Sequence, residues 1–321
     1  MTFQPIDRRR FLATGAAAAL VGSTALGSPG ADDALGAENR VTNLPLPPLD
    51  QRYLLSCKLG MVTKEFNGRE LTLSERFQIV KGVGFDGIDL DEAGTVTPLE
   101  ARQASIDSGL FVHNAINHDH WRIRLTSPRP DEVKKGLANL EHCIRVSHAA
   151  GGSGVLLVVG AGGDGSADEI IARSREAIRG LLPMAAALGQ HILFENVWNR
   201  MFYEHDAGPE QGAARWAEYV DSFNSPWVGM YYDIGNHWKY GQPGAWIRTL
   251  GKRIVKMDMK GFSRARNGWA DIGEGDLPWG EVREALEEIG FCGWFTAEVS
   301  GGGPDRLAKV LADMKRVLQT G

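Results

Sequence analysis

A single (β/α)8 barrel, an α/β fold, is what the sequence predicts over residues 53–321, and three observations carry that expectation. Eight short runs are apolar and β-rich along their whole length, the pattern of strands buried on both faces of a parallel sheet. Eight amphipathic segments alternate with them, several closed by Gly, the usual helix stop. The span of about 270 residues suits such a barrel, a doubly wound sheet usually has fewer strands, and no GxGxxG follows the first run.

Residues 1–31 stand outside that alternation. Arg8, Arg9 and Arg10 precede Phe11-Leu12 and a weakly apolar Ala/Gly/Leu stretch. This is the layout of a twin-arginine export signal, with cleavage expected between Ala25 and Ala31 and a periplasmic or secreted destination. The apolar stretch is too short and Gly-rich to span a membrane, and no Cys follows it to carry a lipid, so no stable membrane anchor is expected. Residues 32–52, rich in small residues and Pro, read as a linker. Cys57, Cys143 and Cys292 are odd in number, widely spaced and in apolar contexts, which predicts three buried small hydrophobes and no disulfide. A net charge of −5 leaves no basic patch, so nucleic acid is not an expected partner. A homo-oligomer is left open.

The strand-like runs are YLLSCKLGMV, GIDLD, FVHNAIN, GVLLVVG, HILFENV, VGMYYDIG, IVKMDMKGF and GWFTAEV. In such a barrel the chemistry gathers where strands end. The third run closes on His113, Asn114 and Asn117, followed by His118, His120 and Trp121; the fifth ends in Glu195. The sixth ends in Asp233, then Asn236 and His237; the seventh carries Lys256, Asp258 and Lys260; the eighth leads to Glu298. Four acids thus come from four consecutive strands, 38, 25 and 40 residues apart. One acid alone would more simply cap a helix or pair with a Lys. Four in one barrel mouth would repel unless a cation neutralised them, and oxygen ligands suit Mn²⁺, Mg²⁺ or Co²⁺. Glu195, Asp233, Asp258 and Glu298 are therefore the expected ligands of one divalent metal ion.

The segments FENVWNR, SPWVGMYYDIGNHWKYGQPGAWIRTLGKRIVKMDMKGF, DIGEGDLPWGEVREAL and GWFTAEVSGG resemble the xylose-isomerase-like sugar phosphate isomerase/epimerase family. That family includes ketose 3-epimerases and hydroxypyruvate isomerase. The resemblance spans roughly residues 53 to 318 and is most specific in the second half. It implies a metal held by Glu, Asp, His and Glu, with Glu195, Asp233 and Glu298 on three of those positions. Asp258 stands where the family commonly has His, Lys260 matches a family Lys, and Gly261 replaces a family Asp. It also implies that Glu195 and Glu298 act as the acid/base pair, moving a carbon-bound proton through an enediolate. Lys260, Arg264, His118 and His120 are candidates for contacts to substrate oxygens. Trp198 is expected to stack on a sugar, with Asn196, Asn199 and Arg200 lining its loop. In IGEGDLPW, Asp276 is expected near a helix N-cap and Pro278 early in that helix.

Export argues against a phosphorylated substrate, and no Gly-rich phosphate loop stands out, so the expected substrate is a non-phosphorylated keto sugar handled by an isomerase or epimerase. The same residues would serve a lyase or hydratase acting on 3-keto glycosides or their enol products. A non-catalytic periplasmic sugar-binding barrel is the expectation from another class. A barrel nuclease would want more His ligands and a basic groove.

Overall fold

The computed structural model describes residues 52–320; the expected export signal, and the linker up to Gln51, lie outside the described residues. Eight parallel strands close a barrel in chain order: β1 (Tyr53–Lys58), β2 (Gly87–Leu90), β3 (Phe111–Ile116), β4 (Gly154–Leu157), β5 (His191–Glu195), β6 (Val228–Asp233), β7 (Ile254–Met259) and β8 (Gly293–Ala297). β1 pairs with both β2 and β8, which completes the ring. The (β/α)8 class predicted by the alternation is thus the fold observed.

The outer layer consists of α1 (Leu73–Val83), α2 (Pro98–Ser108), α3 (Pro130–Ala150), α4 (Ala167–Ala187), α5 (Ala214–Asp221), α6 (Pro243–Leu250), α7 (Trp279–Ile289) and α8 (Pro304–Leu318). Their starts are written into the chain. Thr72, Thr97 and Ser166 each accept from the backbone three residues on, and Glu75, Glu100 and Glu169 reach back to close a capping box. α8 shows what holds a helix on. Leu307, Val310, Leu311, Met314, Val317 and Leu318 recur on one face and are buried. Each contributes roughly 1.5–3 kcal/mol by leaving water, so a charge at Leu307 would unseat the helix. Among the described residues no helix is long and apolar enough to cross a membrane.

The barrel interior is not uniformly apolar. The register shifts between Ile88 and Asp89 on β2, and between Met230 and Tyr231 on β6. Bulges of this kind re-aim side chains. Beyond them the Tyr231 hydroxyl donates to Asp89 at 2.9 Å, and the Asn114 amide donates to Asp89 at 3.0 Å. Ser56 joins His113 and Thr296 at 2.9 and 2.8 Å, and the Lys256 ammonium donates to the His113 carbonyl. His113, Asn114 and Lys256, read from the sequence as strand-end residues, are therefore members of a buried network. Its bonds offset part of the desolvation cost, and the His113 Nδ1 atom is left without a partner.

Three expectations are corrected. YLLSCKLGMV is not one strand: β1 stops at Lys58, and Leu59–Met61 turn into a 3-10 helix. IVKMDMKGF splits after Met259, and Gly261–Ser263 instead pairs with Gly268–Ala270 as an antiparallel hairpin over the barrel mouth. Cys57 and Cys143 are buried free thiols, but Cys292 is exposed, because it lies in the turn between the Gly290 cap of α7 and the first residue of β8.

Candidate active site

Each acid is placed by the end of its strand. Glu195 closes β5, Asp233 closes β6, Asp258 lies one residue inside the end of β7, and Glu298 follows β8. One oxygen from each lies within 4.8 Å of the others. Asp233 is fixed first: it accepts from the Asn236 amide at 2.7 Å as the cap of a one-turn helix, Ile234–Trp238. Asn196 clamps the same point, accepting from the Asp233 N–H at 2.8 Å and donating to the Asp233 carbonyl at 2.9 Å. Asn236 then donates to Glu195 at 3.2 Å.

Two ammonium groups enter this cluster. Lys58, the last residue of β1, lies 2.9 Å from Asp258 and 3.0 Å from Glu298. Lys260 lies 2.8 Å from Asp233, 3.1 Å from Glu298 and 3.8 Å from Glu195. Gly235 makes room for the Lys260 stem, since a Cβ there would come within 2.6 Å of the Lys260 Cβ. With all four acids ionised, two lysines leave two negative charges uncompensated, the charge of one divalent cation. Asp233 Oδ2, Asp258 Oδ2 and Glu298 Oε2 are buried and meet only the lysine ammoniums, and the buried Asp258 Oδ1 has no hydrogen-bond partner. Opposite oxygens around a Mg²⁺-sized ion stand about 4.2 Å apart, near the 4.8 Å within which one oxygen from each of the four acids lies. The donor set fits a hard divalent cation.

The acids feel unequal fields. Burial pushes the Glu195 carboxyl up to about 7, with Lys260 and Lys58 opposing. Burial also raises Asp258 well above the usual range, against the pull of Lys58, and raises Asp233 against the pull of Lys260. Burial acts on Glu298 in the same direction, but Lys260 and Lys58 outweigh it and hold that carboxyl well below the usual range. The Glu298 side chain keeps 35% of its surface open to the mouth, where it meets any entering ligand. Burial disfavours both ammoniums, yet the surrounding carboxylates raise them above the ordinary lysine value.

A cavity of about 210 Å³ opens over the cluster, lined by Lys58, His118, His120, Glu195, Trp198, Lys260, Trp269 and Glu298. His120 is buried and accepts from the Val158 N–H at 3.3 Å through Nδ1, which leaves its proton on Nε2; burial pushes it down to about 3 and keeps it neutral. His118 stands 3.4 Å from Asp91, whose hydrogen bond raises its pKa.

Several expected roles change. Arg264 does not reach the cavity. It donates to the Trp238 and Gly241 carbonyls at 2.6 and 2.7 Å and lies 3.4 Å over the Trp238 ring, tying the hairpin to the loop beside it. Trp198 lines the cavity by its edge. Trp269 stacks on it at 4.7 Å, the Lys239 ammonium lies 4.3 Å from its centroid, and its N–H donates to the Asn236 carbonyl. Asn199 donates to the Gly160 carbonyl and Arg200 is exposed, so neither lines the cavity. His237 is buried against Trp246 at 3.5 Å. Asp276 is not a helix cap: it accepts from Ser263, the Arg264 and Ala265 amides and the Trp238 indole, and α7 starts at Trp279 with Pro278 before it.

Lys58, Asn236 and Trp269 are among the lining residues that the sequence reading missed or left without a role. Lys58 had a signal, its place at a strand end, hidden by a run carried four residues too far. The same hairpin explains Gly261. A Cβ there would meet the Asp271 carbonyl oxygen at 2.1 Å, so a larger residue would force the hairpin open.

The comparisons with known proteins bear on the fold that carries this site. No curated protein matches the chain significantly. Among solved structures, the chain is similar to a D-allulose 3-epimerase from Methylomonas sp. (19% identity, TM-score 0.65, 86% of this chain and 100% of that one). It is similar to the 3-keto-D-glucoside 4-epimerase YcjR from E. coli (16%, 0.63, 83% and 98%). It is also similar to the probable 3-DHS dehydratase AsbF from Bacillus anthracis (16%, 0.63, 82% and 98%). At these identities the likeness concerns the fold. The family model described as xylose isomerase-like TIM barrel matches residues 77–319. With three-quarters of its length inside that match, this chain belongs to the xylose isomerase-like TIM barrel family.

Proposed function

We propose that the protein is a divalent-metal-dependent isomerase or epimerase of a non-phosphorylated keto sugar. The observation that carries this reading is the meeting of Glu195 and Glu298 at one cavity, with their oxygens within 4.8 Å of Asp233 and Asp258. Glu195, Asp233, Asp258 and Glu298 would hold the metal. When bound, a divalent cation supplies Lewis acidity, which makes a C–H beside a carbonyl easier to ionise. The chain supplies the proton carriers. One glutamate takes the proton from the carbon beside the carbonyl, giving an enediolate, and either glutamate returns it. Return by the other glutamate from the opposite side inverts that carbon; return to the neighbouring carbon, with the hydroxyl proton passing from one enediolate oxygen to the other, isomerises the sugar. Asn236 orients Glu195, Lys58 and Lys260 orient Glu298, and the His120 Nε2–H is a neutral donor for a substrate oxygen. We carry over the export reading: Arg8 and Arg9 direct the folded chain out of the cytoplasm.

The test is proton exchange. Purified protein loaded with Mn²⁺, Mg²⁺ or Co²⁺ and offered ketoses and 3-keto glycosides in D₂O should place deuterium on carbon, and product NMR separates epimerisation or isomerisation from elimination or hydration. No exchange with any member of the panel would reduce the protein to a binding barrel. For export, Arg8→Lys/Arg9→Lys should hold a reporter fusion in the cytoplasm; efficient export of the double variant refutes that part.

A further inference from the structure

A second cavity, of about 660 Å³, adjoins the first, and the two share Lys260, Trp269 and Glu298 as a common wall. The inner space is smaller than the roughly 300–1,000 Å³ of ordinary small-molecule sites, while the two together fall within that range. Their walls differ. The inner one carries the carboxylates, ammoniums and imidazoles; the outer one adds Ala270, Asp271, Glu274 and Ser300, a polar surface without a reacting pair. Trp269 stands between them and is 53% exposed. One of its faces lies on Trp198, Phe262 makes a T-shaped contact with it at 5.3 Å, and the Lys260 ammonium lies 5.4 Å from its centroid, so the ring is held rigid with part of its surface still open. A rigid, exposed indole beside hydrogen-bonding groups suits the apolar face of a sugar ring, whose hydroxyls Glu274 and Ser300 can bind, Asp271 being held by Arg306.

We infer that the cavity beyond Trp269 is a subsite for a second sugar ring, so that the substrate is a keto glycoside whose reacting ring sits over Glu195 and Glu298 and whose other ring stacks on Trp269. This rests on the function proposed above and adds to it the class of substrate. A free ketose would leave the outer cavity filled with water. The hairpin that carries Trp269 is clamped by Asp276 and Arg264, so the subsite is built before the ligand arrives.

The experiment compares 3-keto-cellobiose, oxidised on its non-reducing ring, with methyl 3-keto-glucoside and D-fructose, by tryptophan fluorescence titration and deuterium exchange on the metal-loaded protein. Ala270→Trp adds an indole at a position that lines the outer cavity and not the inner one. It should weaken 3-keto-cellobiose about tenfold, the order of a lost stacking contact, and change methyl 3-keto-glucoside less than about twofold. Trp269→Ala should weaken the disaccharide more than the methyl glycoside. Equal effects on both ligands, or none on either, overturn the subsite. So does exchange on D-fructose by a protein that binds neither glycoside, an outcome that leaves the isomerase reading intact. Absence of exchange on all three with intact folding overturns that reading, and the subsite with it.

Discussion

The ends of β5–β8 and the ends of β1–β4 form two halves of one rim, and their chemistry differs. The later half gives Glu195, Asp233, Asp258 and Glu298, the oxygens that meet within 4.8 Å. The earlier half gives Lys58, Asp91, His118 and His120: one cation driven into the acid cluster, and imidazoles facing the cavity. The acids are held by short local contacts such as Asn236 on Asp233. Lys58 reaches across the β1–β8 seam, from one half of the rim into the other. The difference teaches that the later half can hold a cation and move a proton, while the earlier half sets the charge and the shape in which that happens.

The sharpest way to break this division is Glu298→Gln. Loss of an acid/base group should lower kcat by about 10²–10⁴-fold, with the circular dichroism spectrum retained. Wild-type turnover would remove Glu298 from the proton transfer and leave Glu195 as the glutamate that carries it.

Lys58→Met comes next. Removing one partner of a buried ion pair costs about 3–5 kcal/mol, because the other charge is left uncompensated. Urea unfolding in EDTA should show that loss, and Lys58→Met/Asp258→Leu should recover most of it. A single variant as stable as wild type would mean that Lys58 is not needed to balance the acids.

Arg264→Ala should cost about 1–2 kcal/mol in the same assay, through two hydrogen bonds to backbone carbonyls. If instead kcat falls and the melting temperature does not, Arg264 returns to the substrate contact the sequence suggested.

The smallest effect belongs to His118. Its pKa is raised by the hydrogen bond to Asp91, so the pair stabilises the fold fully below the unfolded value of about 6.5 and loses that contribution as pH rises through the folded value. At 62% side-chain exposure, screening limits it to a few tenths of a kcal/mol. His118→Ala should therefore cost more at pH 5.5 than at pH 8; the reverse order would place the imidazole in a neutral role.

What could be read from the sequence follows from the range of the forces involved. Strand and helix runs reflect local periodicity, and they led to the barrel. The four acids lie at strand ends, where the fold itself aligns them, and the strand-end rule gathered them. Lys58 was lost because the apolar Leu59–Met61 continues the pattern of the strand while the backbone has already turned. Arg264 misled because a guanidinium near a site suggests a ligand, and only coordinates show that backbone carbonyls occupy it. Trp269 lies in a stretch with no periodicity, and its position depends on Asp276, seven residues further on, clamping the hairpin.

The contact between Lys58 and Asp258 also bears on how such a chain can change over time. A neutral imidazole at position 258 would leave the Lys58 ammonium with Glu298 as its remaining close partner; a neutral residue at position 58 would leave Asp258 buried among three other acids. Either step alone passes through a poorly compensated intermediate, so the two positions are tied in descent. Relatives with His at the equivalent of 258 should lack a cation at the equivalent of 58, and an alignment in which the two vary independently would show that the tie is not enforced.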